Sequence, residues 1–454
     1  MALSTVNRII TLFDDALTAV SASISMAETE QLGMLVHHAM ESKTRAYHTA
    51  AHVFGMCEAM NPRQVLAALF HDVVYYQLDG GFPQKCRPLV EGFTRSEGDT
   101  LVLQPVDTDD TAVALCMAVF GFAPGQVLPL YCGMNEFLSA VVAARLLQPH
   151  LKPDDLLAVV ACIESTIPFR QPDADGHTAL QRLAKRVEQQ YRVLYPDSSA
   201  ESVQTWVTQL VWDAVKLANR DVSSFAVTDP GLFLSSTWLL IEESNAPLKV
   251  AGMYNLQEYR HGLTRMDGFL RGLDPDNVFQ QFQGLPTDDE MTNLRTVARR
   301  NIGFASDFLG AKITSIAIIE AMALCTGTDG PISMFLGDIR STYGRPDRVD
   351  DFLPEAPHTE VLNPDLLRVF EKGRTLESSN DLTTSPITAF VYRYIGHAGT
   401  QQALDHARAM FSGAITPLDF LRVLNRDMVC DILRASAGIA PSRRTALKLL
   451  EQTL

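Results

Sequence analysis

Apolar side chains recur at spacings of three and four along most of this chain, and that periodicity admits helices and little else. Leu66, Leu69, Phe70 and Val73 form one such stripe. Phe137, Val141, Val142, Leu146 and Leu147 form another within Asn135 to Gln148, and Val203, Trp206, Val207, Leu210 and Val211 a third within Ser202 to Asn219. Start signals precede several stripes. Asn61-Pro62 and Asn363-Pro364 each set a capping side chain before a proline suited to the first helical turn, and Gly373 is placed to close the helix opened by the second pair. Asp154 and Asp155 favour the N-terminus of a helix over Pro153 to Thr166, Thr287 and Glu290 have capping-box spacing, and Pro417 to Ala437 is amphipathic. Strand-like alternation is rare and short, so the expected fold class is all-α. Expected loops are Asp79 to Pro88, Gln171 to Gly176, Pro196 to Ser199 and Thr342 to His358.

With 454 residues the chain exceeds one ordinary core. Gly, Pro and Asp accumulate between Ala246 and Asp289, so the expected organisation is one domain over 1–245 and a helical C-terminal region over 246–454. A net charge of −15 argues against a broad nucleic-acid surface, which needs clustered Lys and Arg. The seven cysteines contain no CxxC pair, and several fall in apolar helical runs, as reduced core residues do. No secretion signal is evident. The best membrane candidate, Phe304 to Cys325, is interrupted by Asp307, Lys312 and Glu320, and a packed helix explains it better. The expectation is a cytoplasmic protein without a membrane span, with homo-oligomerisation left open.

Three separated stretches carry metal-ligand chemistry. In Tyr47-His48-Thr49-Ala50-Ala51-His52, two histidines four apart would share one helical face, one to bind a cation and one to face its ligand. In Leu69-Phe70-His71-Asp72-Val73-Val74-Tyr75, a His-Asp pair follows an apolar stripe, which carries a carboxylate to the edge of a core where it needs a partner or a cation. In Lys216-Leu217-Ala218-Asn219-Arg220-Asp221-Val222, Asp221 closes a long apolar helix. Each piece alone also has an ordinary structural explanation.

In order, these pieces resemble the HD superfamily of metal-dependent phosphohydrolases, whose pattern runs His, His-Asp, then a distant Asp. The resemblance is closest to the Tyr-His-x-x-x-His branch, which includes small bacterial HD phosphohydrolases and cyclic-nucleotide phosphodiesterases. Asn135-Glu136-Phe137-Leu138-Ser139-Ala140 and Ala161-Cys162-Ile163-Glu164-Ser165-Thr166 look like two further segments of the small bacterial proteins. The similarity spans roughly residues 35 to 225. It implies an HD/PDEase-like helical bundle with an additional C-terminal region. It also implies that His52, His71, Asp72 and Asp221 hold a first divalent cation, that Asp72 bridges to a second, that Glu136 assists that second cation or stands behind the ligands, and that His48 is the general acid. The cations would come from Mg, Mn, Zn or Fe. The implied function is hydrolysis of a phosphoester, with nucleotides and cyclic nucleotides among the candidate substrates, and His48 and Asp72 as catalytic residues.

Departures and alternatives remain. Tyr75 stands where cyclic-nucleotide phosphodiesterases carry a further His, and their base-clamping Gln has no clear counterpart; Gln280 and Gln281 suit a core helix better. One alternative is a non-catalytic metal-binding sensor or interaction module. Another is a di-iron oxygenase, for which His48, Glu136 and Glu164 are the available extra ligands. Arg45, three residues before His48, is a candidate phosphate contact, with a structural ion pair as its alternative. His177 suits a solvated loop, and Arg170 is a remote substrate candidate. His37 and His38 point different ways on a helix. Arg299-Arg300 and Arg443-Arg444 suit solvated faces.

Overall fold

The computed structural model describes residues 3–98, 100–106, 109–130, 132–338, 347–357, 363–376, 378 and 380–454. Among the described residues the fold is all-α apart from one short hairpin. It divides into two compact units, Met1–Ala226 with Asp274–Ala298, and Val227–Leu273 with Arg299–Leu454. The division therefore falls at 226/227 rather than at the anticipated 245/246, and 274–298 returns to the first unit. Packing decides that return: Gln280 donates its side-chain N–H to Ser165 O (3.0 Å) and its backbone N–H to Asn219 Oδ1 (2.7 Å), and Trp212 donates to Phe282 O (3.1 Å).

The first unit contains α1 (Thr5–Ala19), α2 (Met26–Met40), α3 (Ala50–Cys57), α4 (Pro62–Phe70), the single turns α5 (Tyr76–Asp79) and α6 (Arg87–Val90), α7 (Thr111–Phe120), α8 (Met134–Leu147), α9 (Pro153–Ser165), α10 (Ala179–Leu194) and α11 (Ala200–Asp221). An antiparallel hairpin, β1 (Thr94–Glu97) with β2 (Thr100–Leu103), pairs Thr94 with Leu103 and was not anticipated. At four residues each, the strands are too short to register as a periodic signal. Helix α9 is the central pillar. Every residue from Leu156 to Ser165 is buried, and α4, α7, α8, α10 and α11 pack around it, as an all-round apolar helix requires. Two polar clasps set the register of α11. Gln64, in the first turn of α4, donates to Asp213 O (2.7 Å), and Ser165 Oγ donates to Ala214 O (3.0 Å). His71 lies seven residues beyond Gln64 and Asp221 eight beyond Asp213. At about 1.5 Å rise per residue, α4 and α11 running side by side carry both to the same level.

The second unit contains α12 (Pro230–Ser244), α13 (Leu256–Gly272), α14 (Asp288–Thr326) from Arg299 onward, the turn α15 (Ser333–Leu336), α16 (Pro364–Lys372), α17 (Pro386–Phe411), α18 (Pro417–Val423), α19 (Arg426–Ile439) and α20 (Arg444–Thr453). Helix α14 has 39 residues and opens on the anticipated capping box, Thr287 N donating to Glu290 Oε2 (2.8 Å) and Glu290 N to Thr287 Oγ1 (3.3 Å). Among the described residues it alone is long and apolar enough to cross a membrane, and its apolar window is 89% buried within the fold. The expected continuous helix from Pro417 to Ala437 is interrupted, because Asn425 caps a new start by accepting from Met428 N. Inside α17, Gly396 adopts φ 67°, a left-handed geometry that glycine permits and that kinks the helix. Of the expected loop over 342–358, positions 342–346 and 358 lie outside the described residues.

The helix that delivers the His-Asp pair depends on one cap and one ring contact. Asn61 and Gln64 form a reciprocal capping box (3.1 and 2.8 Å), and Phe70 is fully buried edge-on to Phe13 (5.4 Å). Phe70→Ala is expected to lower the unfolding free energy by about 3–5 kcal/mol and Asn61→Ala by about 1 kcal/mol, measured by chemical denaturation followed through tryptophan fluorescence.

Candidate metal centre

The three sequence stretches converge at one end of the first unit. His71 is the C-cap of α4, Asp72 follows it, Asp221 is the last residue of α11, and His52 lies in α3. Arg220 ties the ends together, donating to Gly55 O and Glu58 on the α3 segment (both 2.8 Å). The ring of His52 is 5.5 Å from that of His71. His52 Nε2 lies 3.0 Å from Asp221 Oδ1; His71 Nε2 lies 2.8 Å from Asp72 Oδ2 and 3.8 Å from Asp221 Oδ1. The most compact set is His52, His71 and Asp72, whose candidate ligand atoms all lie within 4.8 Å of one another. Asp221 stands outside that set, against the two imidazoles.

These short distances are not hydrogen bonds. Both Nε2 atoms are buried without a hydrogen-bond partner, because the neighbouring carboxylate oxygens lie off the direction of any N–H. His71 Nδ1 is 2.8 Å from Ala68 O, so in the neutral ring Nδ1 carries the proton and Nε2 presents a lone pair to two carboxylates. Ligand atoms about 2.0–2.2 Å from one cation stand roughly 3–4 Å apart, close to the spacings here. The orphaned imidazole nitrogens beside carboxylates fit a first-row divalent cation.

Electrostatics follow from the same crowding. Burial opposes charge on His71, but Asp72 and Asp221 outweigh it and raise its pKa to about 9. Burial likewise opposes charge on Asp72, yet the imidazoles of His71, His48 and His52 hold its carboxyl well below the usual range. Glu136, half-buried in the first turn of α8, is pushed up to about 7, first by burial and then by Asp72 and Asp221.

The surrounding residues hold this corner in place. Ser139 Oγ accepts from Val74 N (3.1 Å), Asn135 Oδ1 accepts from Tyr76 N (3.0 Å), and Asn135 donates to Gln77 Oε1 (2.9 Å), so one face of α8 latches the turn after Asp72. Their spacing of four was the available signal for that face. His48 is not on a helix. Thr49 takes the N-cap position of α3, which leaves His48 in the preceding bend, its ring 5.9 Å from His52 and edge-on to Tyr75 at 4.9 Å. Arg45 lies behind the site. Its side chain is fully buried and donates to Asp72 O (2.6 Å) and Asp79 Oδ2 (2.7 Å). Glu164 accepts from Arg170 (2.7 Å) and Arg186 (2.6 Å), which occupies it with guanidinium groups. Gln280 and Gln281 lie in a non-helical segment rather than in a core helix, Gln281 donating to Pro286 O (2.9 Å). His177 sits with Asp173 and Asp175 in an exposed loop.

Two outcomes follow. Arg45→Met leaves Asp79 without its counter-ion, and a loss of about 3–5 kcal/mol of stability is expected in denaturation curves. In chelator-treated protein, the folded state keeps a proton on Glu136 up to pH about 7, while the unfolded chain releases it near 4.5. Stability therefore falls as pH rises from 4.5 to 7. Glu136→Gln is expected to remove a component on the order of 2–3 kcal/mol from that fall, read as the difference between wild-type and variant unfolding over the window.

Comparison of the chain with protein-family models, with curated proteins and with solved structures gives no match.

Proposed function

We propose that the first unit is a metal-dependent phosphohydrolase of the HD type, acting on a small phosphoester such as a nucleotide or cyclic nucleotide. The observation that carries this reading is the pair of buried, unpartnered Nε2 atoms of His52 and His71, set against Asp72 and Asp221 at 2.8 to 3.8 Å. In the metal-free site a proton on His71, whose pKa is raised to about 9, offsets the two carboxylates; once that proton is lost, lone pairs and carboxylates repel one another, and a divalent cation would take the proton's place. His52, His71, Asp72 and Asp221 would hold it. A divalent cation supplies charge neutralisation for phosphoryl oxygens and lowers the pKa of water at the site.

The chain's own residues supply the rest. His71 is kept in one tautomer and one orientation by Ala68 O, which fixes the direction of its ligand atom. Arg45 holds the Asp72 backbone, and the latch from α8 holds the turn behind it. His48, packed between Tyr47, His52 and Tyr75, is the proton donor for the leaving oxygen, a role suited to imidazole near neutral pH. Glu136, with its pKa near 7, exchanges a proton in the same range. The acidic chain favours a small substrate over a nucleic-acid surface.

The test is a panel of phosphomonoesters and cyclic nucleotides offered to full-length protein loaded separately with Mn or Zn, alongside elemental analysis. Asp72→Ala is expected to lose both metal and turnover. His48→Ala is expected to keep metal while kcat drops by about 10²–10⁴-fold. A fully active Asp72→Ala variant sinks the reading. Wild-type protein that binds metal stoichiometrically yet turns over nothing in the panel favours a metal-holding sensor instead.

A further inference from the structure

The second unit encloses a charged cluster that none of the chemistry above uses. Lys312, on α14, is 4% exposed. Its ammonium lies 3.6 Å from Asp381 Oδ2 and 4.6 Å from the Trp238 ring. Arg374 is also buried, 3.3 Å from the same oxygen, with its guanidinium 4.2 Å from the Trp238 ring and two of its nitrogens without a hydrogen-bond partner. The Tyr259 hydroxyl donates to the other Asp381 oxygen (3.2 Å), and the Tyr254 hydroxyl lies 3.5 Å from it while donating to Asn380 O (3.0 Å). Two cations thus share a carboxylate whose oxygens are both engaged. A further acid beside the cluster, Glu242, is occupied by Trp238, Ser378 and Asn380. Burial lowers the pKa of Lys312 to about 8, which leaves it mostly protonated at neutral pH.

Beside Lys312 stands the N-terminus of α17. Ser385 is its N-cap, 5% exposed, and its side chain makes no capping bond. Ser385 Oγ is buried with no hydrogen-bond partner, while its backbone N–H is taken by Phe370 O at 2.8 Å. Pro386 has no N–H, and the amides of Ile387 and Thr388 belong to the first turn, where no acceptor exists four residues back. Thr388 Oγ1 is 2.7 Å from Ser315 Oγ. Lys312, Ser315, Asp381, Ser385 and Thr388 line one cavity of about 30 Å³. A single water needs roughly 10–15 Å³ on that measure, so the space is of the order that a compact polyatomic ion fills.

We propose that this cavity is a binding site for one compact oxyanion, of the size of inorganic phosphate or sulfate, held between the Lys312 ammonium and the first turn of α17. The positive end of a helix and a nearby ammonium favour an anion over a neutral molecule. A buried hydroxyl left without a partner costs stability until something accepts from it, and an oxyanion does so. The site is independent of the metal centre proposed above.

The experiment uses the wild-type full chain stripped of metal by a chelator, so that no metal-bound anion at the His71–Asp72 corner contributes and the two carboxylates there disfavour anions. Inorganic phosphate and sulfate are titrated calorimetrically at constant ionic strength, with chloride as the balancing salt. Saturable binding of one ion per chain is expected, with phosphate and sulfate competing. Ser385→Ala should weaken it by about tenfold or more, and Lys312→Met should abolish it. Should Lys312→Met fail to fold, the Ser385→Ala comparison decides alone. Absence of saturable binding, as expected for a cavity that holds only water, overturns the proposal. So does binding that Ser385→Ala leaves unchanged.

Discussion

The first unit is organised around the cost of setting the Asp72 carboxylate beside the His71 imidazole at the end of a buried helix. Neither group can be brought there alone. An isolated buried carboxylate is several kcal/mol unfavourable, and burial works against a charged imidazole in the same way. Each therefore needs the other, and both need Asp221 and His52 from elsewhere in the chain. The Gln64–Asp213 clasp, the Arg220 tie to α3 and the Ser139 latch to Val74 are the polar contacts that keep these groups at their distances. None of those three contacts involves a ligand candidate. They act on backbone positions two to eight residues from the ligand candidates and leave the Nε2 atoms unsatisfied.

The second unit meets a similar difficulty with the opposite excess. Asp381 there is surrounded by two cations and two tyrosine hydroxyls, so its carboxylate is over-provided with donors. Aromatic faces complete the enclosure: Trp238 receives both the Lys312 ammonium and the Arg374 guanidinium, a contact that offsets desolvation of the cations. Buried arrangements of this kind are weak contributors to stability compared with apolar packing, and removing one partner is costly. In the first unit the surplus lone pairs are suited to a cation. In the second the surplus donors are suited to an anion.

Much of the helical framework was legible because its signals are local. Asn61-Pro62, Thr287 with Glu290, and Asn363-Pro364 with Gly373 mark ends that the structure places at those residues, since a capping side chain reaches an amide only two or three positions away. Where a competing local choice existed, the reading was less secure. Thr49 rather than His48 begins α3, and Asn425 divides a stretch whose apolar periodicity runs straight through it. Arg45 illustrates the limit for side chains. Its sequence position near His48 is equally compatible with reaching a phosphate or an internal carboxylate, and only the location of Asp79 across the fold distinguishes them.

By itself the sequence determined the all-helical class, several helix ends and the ordered succession of His52, His71, Asp72 and Asp221, because these depend on neighbours within a few residues. Tertiary structure alone decided that residues 274–298 return to the first unit, that α8 latches the turn after Asp72, that Glu164 faces two arginines, and that Lys312 meets Ser385 across a cavity. The physical reason is one of range. Caps and periodicity are fixed by the geometry of a single helix. The partner of a buried polar group is fixed by which distant element packs against it, and that choice is made by the whole core at once.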